Sequence, residues 1–368
     1  MRKILVLAAA AVTLLRAEPL TVKHVVVYYE AGRFAGWPAN HGAWSWGDEI
    51  LVGFEAGQFR KTEQGHAIDY SKPAEHVLAR SLDGGESWSV ERPVGLRPPP
   101  GEKIAGVPTP EGGRPLTDCP GGIDFSHPDF ALTARMTSIH DGQSRFYYSM
   151  DRGRNWQGPF RLPNFGQRGT AARTDYLVNG KHDLTMFLTA AKSNGREGRV
   201  ICVRTRDGGK TWNFESFVTP EPEGNEYAIM PSSIRLGRDT ILTAVRYRKF
   251  IDAYRSSDNG KTWAYAGRPA PETGGNPPSL ISLRDGRLAL TYGYRLKPYG
   301  VRARLSTDSG KTWGEELVLR QDGGSWDLGY PRTVQRRDGK LVTVYYFNTS
   351  ANSERFIGAT IWDPGLSQ

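Results

Sequence analysis

The chain has 368 residues and a formal net charge of +9, spread without any run of lysine or arginine and without a basic helix. That pattern argues against a nucleic-acid binder and leaves an acidic glycan as the anionic partner to weigh. Glycine (43), proline (24) and tryptophan (10) are plentiful, and no useful helical period follows the N-terminus, which favours many short strands joined by turns over a helical fold.

Met1-Arg2-Lys3 followed by the apolar run 4–15 has the charged head and short core of a secretory signal peptide, with the small residue Ala17 at the cleavage point. The expectation is a secreted or periplasmic bacterial protein in which 1–17 is removed and 18–368 forms a single domain. The apolar run is too short to cross a bilayer, so no membrane span is expected. Residues 21–30 then read as a strand that precedes any repeat. Next come strands at 43–54 and 76–81, interrupted by a loop holding His66 and Asp69. A Pro/Gly-rich stretch, 98–120, is predicted to lie as a long surface loop. Further strands follow at 129–136 and 145–149, at 183–188 and 199–205, and in threes at 227–256, 279–306 and 330–362.

One motif punctuates this series. Ser81-Leu-Asp83-Gly-Gly85-Glu-Ser-Trp88 recurs at Ser149–Trp156, Thr205–Trp212, Ser256–Trp263 and Ser306–Trp313, always as hydroxyl, Asp, Gly and Trp at fixed spacing. The spacing suits a tight hairpin: the carboxylate accepts from turn N–H groups, glycine supplies positive φ, and the indole packs back beneath. Repetition every ~50 to 70 residues indicates an array of like supersecondary units. The last unit lacks both a box and a fourth strand, and 21–30 is a spare strand. This predicts six four-stranded blades closed by the N-terminal strand, with a seventh blade between the first two boxes as the alternative. Cys119 and Cys202 could pair in an oxidising compartment but fall on different repeats. The cysteines and histidines show no metal-ligand spacing, and no cofactor is expected.

The repeated motif is the Asp box, and the chain resembles the sialidase superfamily of Asp-box β-propellers. At the level of fold the resemblance covers the chain after residue 17; at the level of site it rests on short segments. Asn225-Glu226, followed by a strand ending in Arg246, resembles the sialidase segment in which a glutamate precedes a carboxylate-binding arginine. Gly329-Tyr330 with the strands after it resembles the segment holding the nucleophilic tyrosine. Arg295, with Arg302 as the alternative, lies where the family keeps its third arginine, and Arg332 sits beside Tyr330. The resemblance implies removal of sialic acid or a related acidic sugar by Tyr330, with Glu226 as its base and Asp69 as the acid. A neutral phenol avoids the repulsion that a carboxylate nucleophile would meet at a carboxylate-bearing anomeric carbon, and arginines grip that carboxylate by paired hydrogen bonds.

The family's first arginine is absent from Gly36-Trp37-Pro38, and Arg33 stands upstream as its substitute. Arg173, Tyr176, His66 and His127 are further candidates for substrate binding. They also support a rival reading, a lyase on uronic-acid glycans using His and Tyr as proton carriers. A glycan-binding propeller without activity is the third.

Overall fold

The computed structural model describes residues 20–365, apart from 102, 105–106 and 109–111. The leader expected at 1–17 lies outside them. Six antiparallel sheets follow one another along the chain. Blade 1 joins Arg33–Gly36, Glu49–Gln58, Glu75–Ser81 and Ser89–Glu91, with Ala43–Trp46 also paired to its second strand. Blade 2 has three strands, Ala131–Met136, Ser144–Ser149 and Gln157–Arg161. In blade 3 the short strands Thr170–Ala171 and Tyr176–Gly180 both pair with Asp183–Ala191, and Glu197–Thr205 and Asn213–Phe217 complete it. Blade 4 runs from Ile229–Arg235 to Ala264–Ala270, and blade 5 from Pro278–Ser282 to Leu317–Arg320. Among the described residues no helix is long and apolar enough to cross a membrane.

Blade 6 consists of Gly329–Gln335, Leu341–Phe347 and Phe356–Trp362, and the N-terminal strand Val22–Tyr28 pairs antiparallel with the last of these. The ring therefore closes as expected, and the exposed edge that an open blade would present is covered. No seventh blade exists among the described residues. Between the last strand of blade 1 and the first of blade 2 the only strands among the described residues are a two-by-two hairpin, Lys103–Ile104 with Val107–Pro108, and farther on Thr117 bridges to Phe160 on blade 2.

Middle strands pack between neighbouring blades on both faces, so they read as unbroken apolar runs. All seven residues of Leu341–Phe347 are buried, whereas the outer strand Asn213–Phe217 is exposed or half-buried. The boxes do what their composition implies. In the fourth, Asp258 Oδ1 accepts from Lys261 and Thr262 N–H and the Trp263 indole bonds Gly260 O. The motif's hydroxyl holds the turn from the other side, Ser256 Oγ accepting Gly260 N–H at 2.8 Å. Each box glycine also presses on the preceding blade. A Cβ on Gly310 would stand 2.6 Å from Leu242, and one on Gly153 would stand 2.4 Å from Leu51. Glycine is thus required here for closeness between blades as well as for its φ. The cysteines are free and buried in separate clusters, so the pairing considered from sequence does not form.

Candidate active site

The site forms where the innermost strands begin. Three non-glycine residues there adopt left-handed backbone, Trp37 (φ 61°), Met230 (φ 51°) and Tyr330 (φ 52°), on blades 1, 4 and 6. Such conformations cost energy and are kept where packing over-determines them. For Tyr330 the cause is visible. Gly329 precedes it at φ 101°, where a Cβ would lie 2.4 Å from Asn276. That asparagine accepts Tyr330 N–H at 2.9 Å and donates to Leu328 O at 2.8 Å. Pairing with the next strand breaks register between Gly329 and Arg332. The bulge aims the phenol toward the channel mouth.

Arg246, at the end of blade 4's second strand, donates to the Tyr330 hydroxyl at 2.9 Å. Arg295, at the matching place on blade 5, has its Cζ 5.3 Å from the same ring. Its three nitrogens already donate to Leu328 O, Gly275 O and the Tyr346 hydroxyl. It therefore acts on Tyr330 through charge rather than as a free fork. Burial pushes the Tyr330 phenol up, but Arg246, Arg295 and Arg173 outweigh this and hold it below the ordinary phenol value.

Above the phenol lies a cavity of about 400 Å³, walled by blades 1, 2, 3, 4 and 6. Arg173 and Glu197 form an ion pair on its blade 3 side. Buried polar atoms without a protein partner cluster around it: Trp37 Nε1, Asn40 Oδ1, His41 Nδ1, Glu55 Oε1, Arg135 Nη2, and the Nε atoms of Arg173 and Arg246. So many unmet donors and acceptors in one place mark a surface shaped for a polar ligand. Glu55 is 4% exposed, and burial pushes its carboxyl up to about 8 against the pull of Arg135. It carries its proton at neutral pH. Arg135, itself buried, is pushed down to about 9.

Potential ligand atoms of His41, Glu55 and His76 lie within 4.8 Å of one another. They do not form a convincing metal site. Nδ1 of His76 accepts Arg135 Nε at 3.1 Å, which occupies a lone pair and sets a buried guanidinium against any cation. Burial and Arg135 hold both imidazoles well below their usual range.

The structure brings Tyr330, Arg246, Arg173 and His66 to this one cavity, with Arg295 directly behind. Several expected residues fall elsewhere. Glu226 is 56% exposed and paired with Arg248 at 3.1 Å, because Lys192 draws the backbone of that loop inward by bonding Pro222, Gly224 and Glu226 carbonyls. Asp69 caps a turn, accepting from Ser71 N–H and Oγ. Arg33 lies outside the cavity wall, beside Glu75 at 3.4 Å. Arg332 ties the ring together across the channel, donating to Ala39 O and Thr174 O. The Tyr176 hydroxyl is taken by Trp44 and Leu132 N–H, and His127 accepts Asp129 N–H on the exposed surface. Sequence reasoning missed Glu55, Glu197 and Arg135. Glu55 and Arg135 did carry a signal, since each interrupts a strand that is otherwise apolar or small (LVGFEAG and ALTARM), where an ionisable residue is seldom buried without purpose.

The model of the BNR repeat-like domain matches residues 130–343. The chain belongs to the BNR repeat-like family. This BNR repeat-like propeller is similar in fold to a protein of unknown function from Dyadobacter fermentans DSM 18053, at 23% identity and TM-score 0.70, covering 93% of this chain and 99% of that one. It also resembles the NanB sialidase of Streptococcus pneumoniae (13% identity, TM-score 0.59, 95% of this chain and 71% of that one). An α-L-arabinanase of Penicillium chrysogenum, complexed with arabinobiose, stands at 13% identity and TM-score 0.59, with 94% and 99% covered. No curated protein sequence matches the chain.

Proposed function

We propose that this propeller is an exo-glycosidase of the sialidase type that releases a terminal acidic sugar, sialic acid or a relative, with retention. The observation that carries the reading is the acidified phenol of Tyr330, bonded to Arg246 at the floor of a cavity lined with unmet donors. Tyr330 attacks the anomeric carbon to form a glycosyl–tyrosine intermediate. Arg246 and Arg173, both on the cavity wall, bind its carboxylate. Glu55 takes the role first expected of Asp69: it is protonated at neutral pH and gives its proton to the leaving oxygen. It then serves as the base that activates water. Similarity in fold to a sialidase and an arabinanase is consistent with glycoside hydrolysis, and the basic floor favours an acidic sugar over a neutral pentoside. The lyase reading loses His127 and Tyr176, which are engaged elsewhere, and keeps His41 and His66 on the cavity wall.

Fluorogenic sialosides, glucuronides and arabinofuranosides, assayed side by side, test this. An acidic glycoside should turn over, and Tyr330→Phe should lower kcat at least ~10³-fold with an unchanged melting temperature, the loss expected of a missing nucleophile. Turnover of the arabinofuranoside alone would overturn the acidic specificity; full activity in Tyr330→Phe would overturn the mechanism.

A further inference from the structure

The reaction proposed above needs a group to accept the Tyr330 proton, and Glu226 faces solvent. The cavity wall offers another. His66 lines the cavity, and its Nδ1 lies 2.6 Å from Oδ1 of Asp327. Asp327 is 1% exposed and accepts three further bonds, from Ala67 N–H at 3.0 Å, the Tyr346 hydroxyl at 2.7 Å and Arg355 Nε at 3.0 Å. Burial pushes its carboxyl up, but the bond from His66 and the charges of Arg355 and Arg295 outweigh this and hold it well below the carboxylate range.

An ionised carboxylate can only accept, so Nδ1 of His66 carries the hydrogen, and in the neutral ring the lone pair is then on Nε2. Among the described residues Nε2 has no protein partner. The ring stands edge-on to Tyr330 with centroids 6.5 Å apart, and edge-on to Trp37 at 5.0 Å. The other charged or titratable groups around the pair are Arg355 on blade 6, Arg295 on blade 5, Arg246 on blade 4, Arg173 on blade 3, and Glu55 and Tyr70 on blade 1.

We propose that His66, oriented by the positioning residue Asp327, is the base that takes the phenolic proton of Tyr330, directly or through one water. This deepens the glycosidase reading and rests on it. In the first half-reaction the Tyr330 O–H proton passes to His66 Nε2. The phenolate oxygen bonds the anomeric carbon, the bond to the leaving oxygen breaks, and that oxygen takes the Glu55 proton. In the second, the Glu55 carboxylate takes a proton from water as the water attacks. The bond to Tyr330 breaks, and the departing phenolate recovers its proton from the His66 imidazolium. Both carriers return to their starting states.

The test is the pH profile of kcat/KM on an aryl glycoside whose phenolate leaves without protonation, which removes Glu55 from the first step. His66→Gln, a change on the cavity wall, should melt near the wild type and lose roughly 10²–10⁴-fold near neutral pH, the usual worth of a general base. Its rate should then climb about tenfold per pH unit as the phenol ionises unaided. Asp327→Asn should show the same climb. A profile in His66→Gln equal to wild type overturns the proposal while leaving the glycosidase reading intact. A uniform loss at every pH overturns it too, because His66 would then only shape the cavity. A wild type that cleaves none of the glycosides overturns the reading and this base with it.

Discussion

Glu55 shows how one residue can set both a rate profile and a stability profile. Its carboxyl is raised from the ordinary 4.5 to about 8 by burial in the folded chain. Between these values the native state holds a proton that the unfolded chain has lost. Stability therefore declines as pH rises through 4.5 to 8 and levels off above, by on the order of a few kcal/mol. Glu55→Gln should flatten that slope, which chemical denaturation at about pH 5 and about pH 8 would measure. The same substitution removes the acid. We expect kcat on a sialoside with a poor leaving group to fall ~10²–10⁴-fold, and the alkaline limb of the wild-type profile near pH 8 to disappear with it. Glu226→Gln, by contrast, should leave kcat within about twofold, since an exposed ion pair contributes little.

At the scale of elements, two local devices carry the geometry. In the boxes, a buried hydroxyl holds a glycine N–H: Ser256→Ala leaves Gly260 N–H without its partner and should cost about 1–3 kcal/mol, read as a lower urea midpoint at unchanged m-value. In blade 6 the turn before Tyr330 depends on Asn276, which reaches over from blade 5. Asn276→Ala should therefore lower kcat more than KM changes, because the phenol loses its fixed aim rather than the sugar its contacts. The box was readable from sequence since all its parts lie within eight residues. The Asn276 clamp was not, because it joins positions 54 apart.

At the scale of the molecule, closure is the main fact. Val22–Tyr28 covers the edge of Phe356–Trp362, and removing it would expose a row of unpaired backbone groups. Deletion of residues 22–28 should lower the melting temperature and give aggregates in size-exclusion chromatography; a monomer that melts like the full chain would contradict this role for the strand.

The sequence by itself determined the ring. Boxes, apolar middle strands and a spare first strand are local patterns, and local patterns survive without coordinates. It also led to Tyr330, Arg246, Arg173 and Arg295 at strand ends that converge near the channel, whereas His66 stood out only as part of a loop. Only the tertiary structure decided which carboxylates face the cavity. Glu226 and Asp69 sit at suitable positions along the chain, yet a lysine bonded to three carbonyls turns one outward and a tight turn engages the other. Glu55 and Asp327 take the interior beside groups far off in the chain, Arg135 for the first and His66 for the second. Burial and long-range charge depend on every neighbour at once, so they cannot be read from any one stretch of chain.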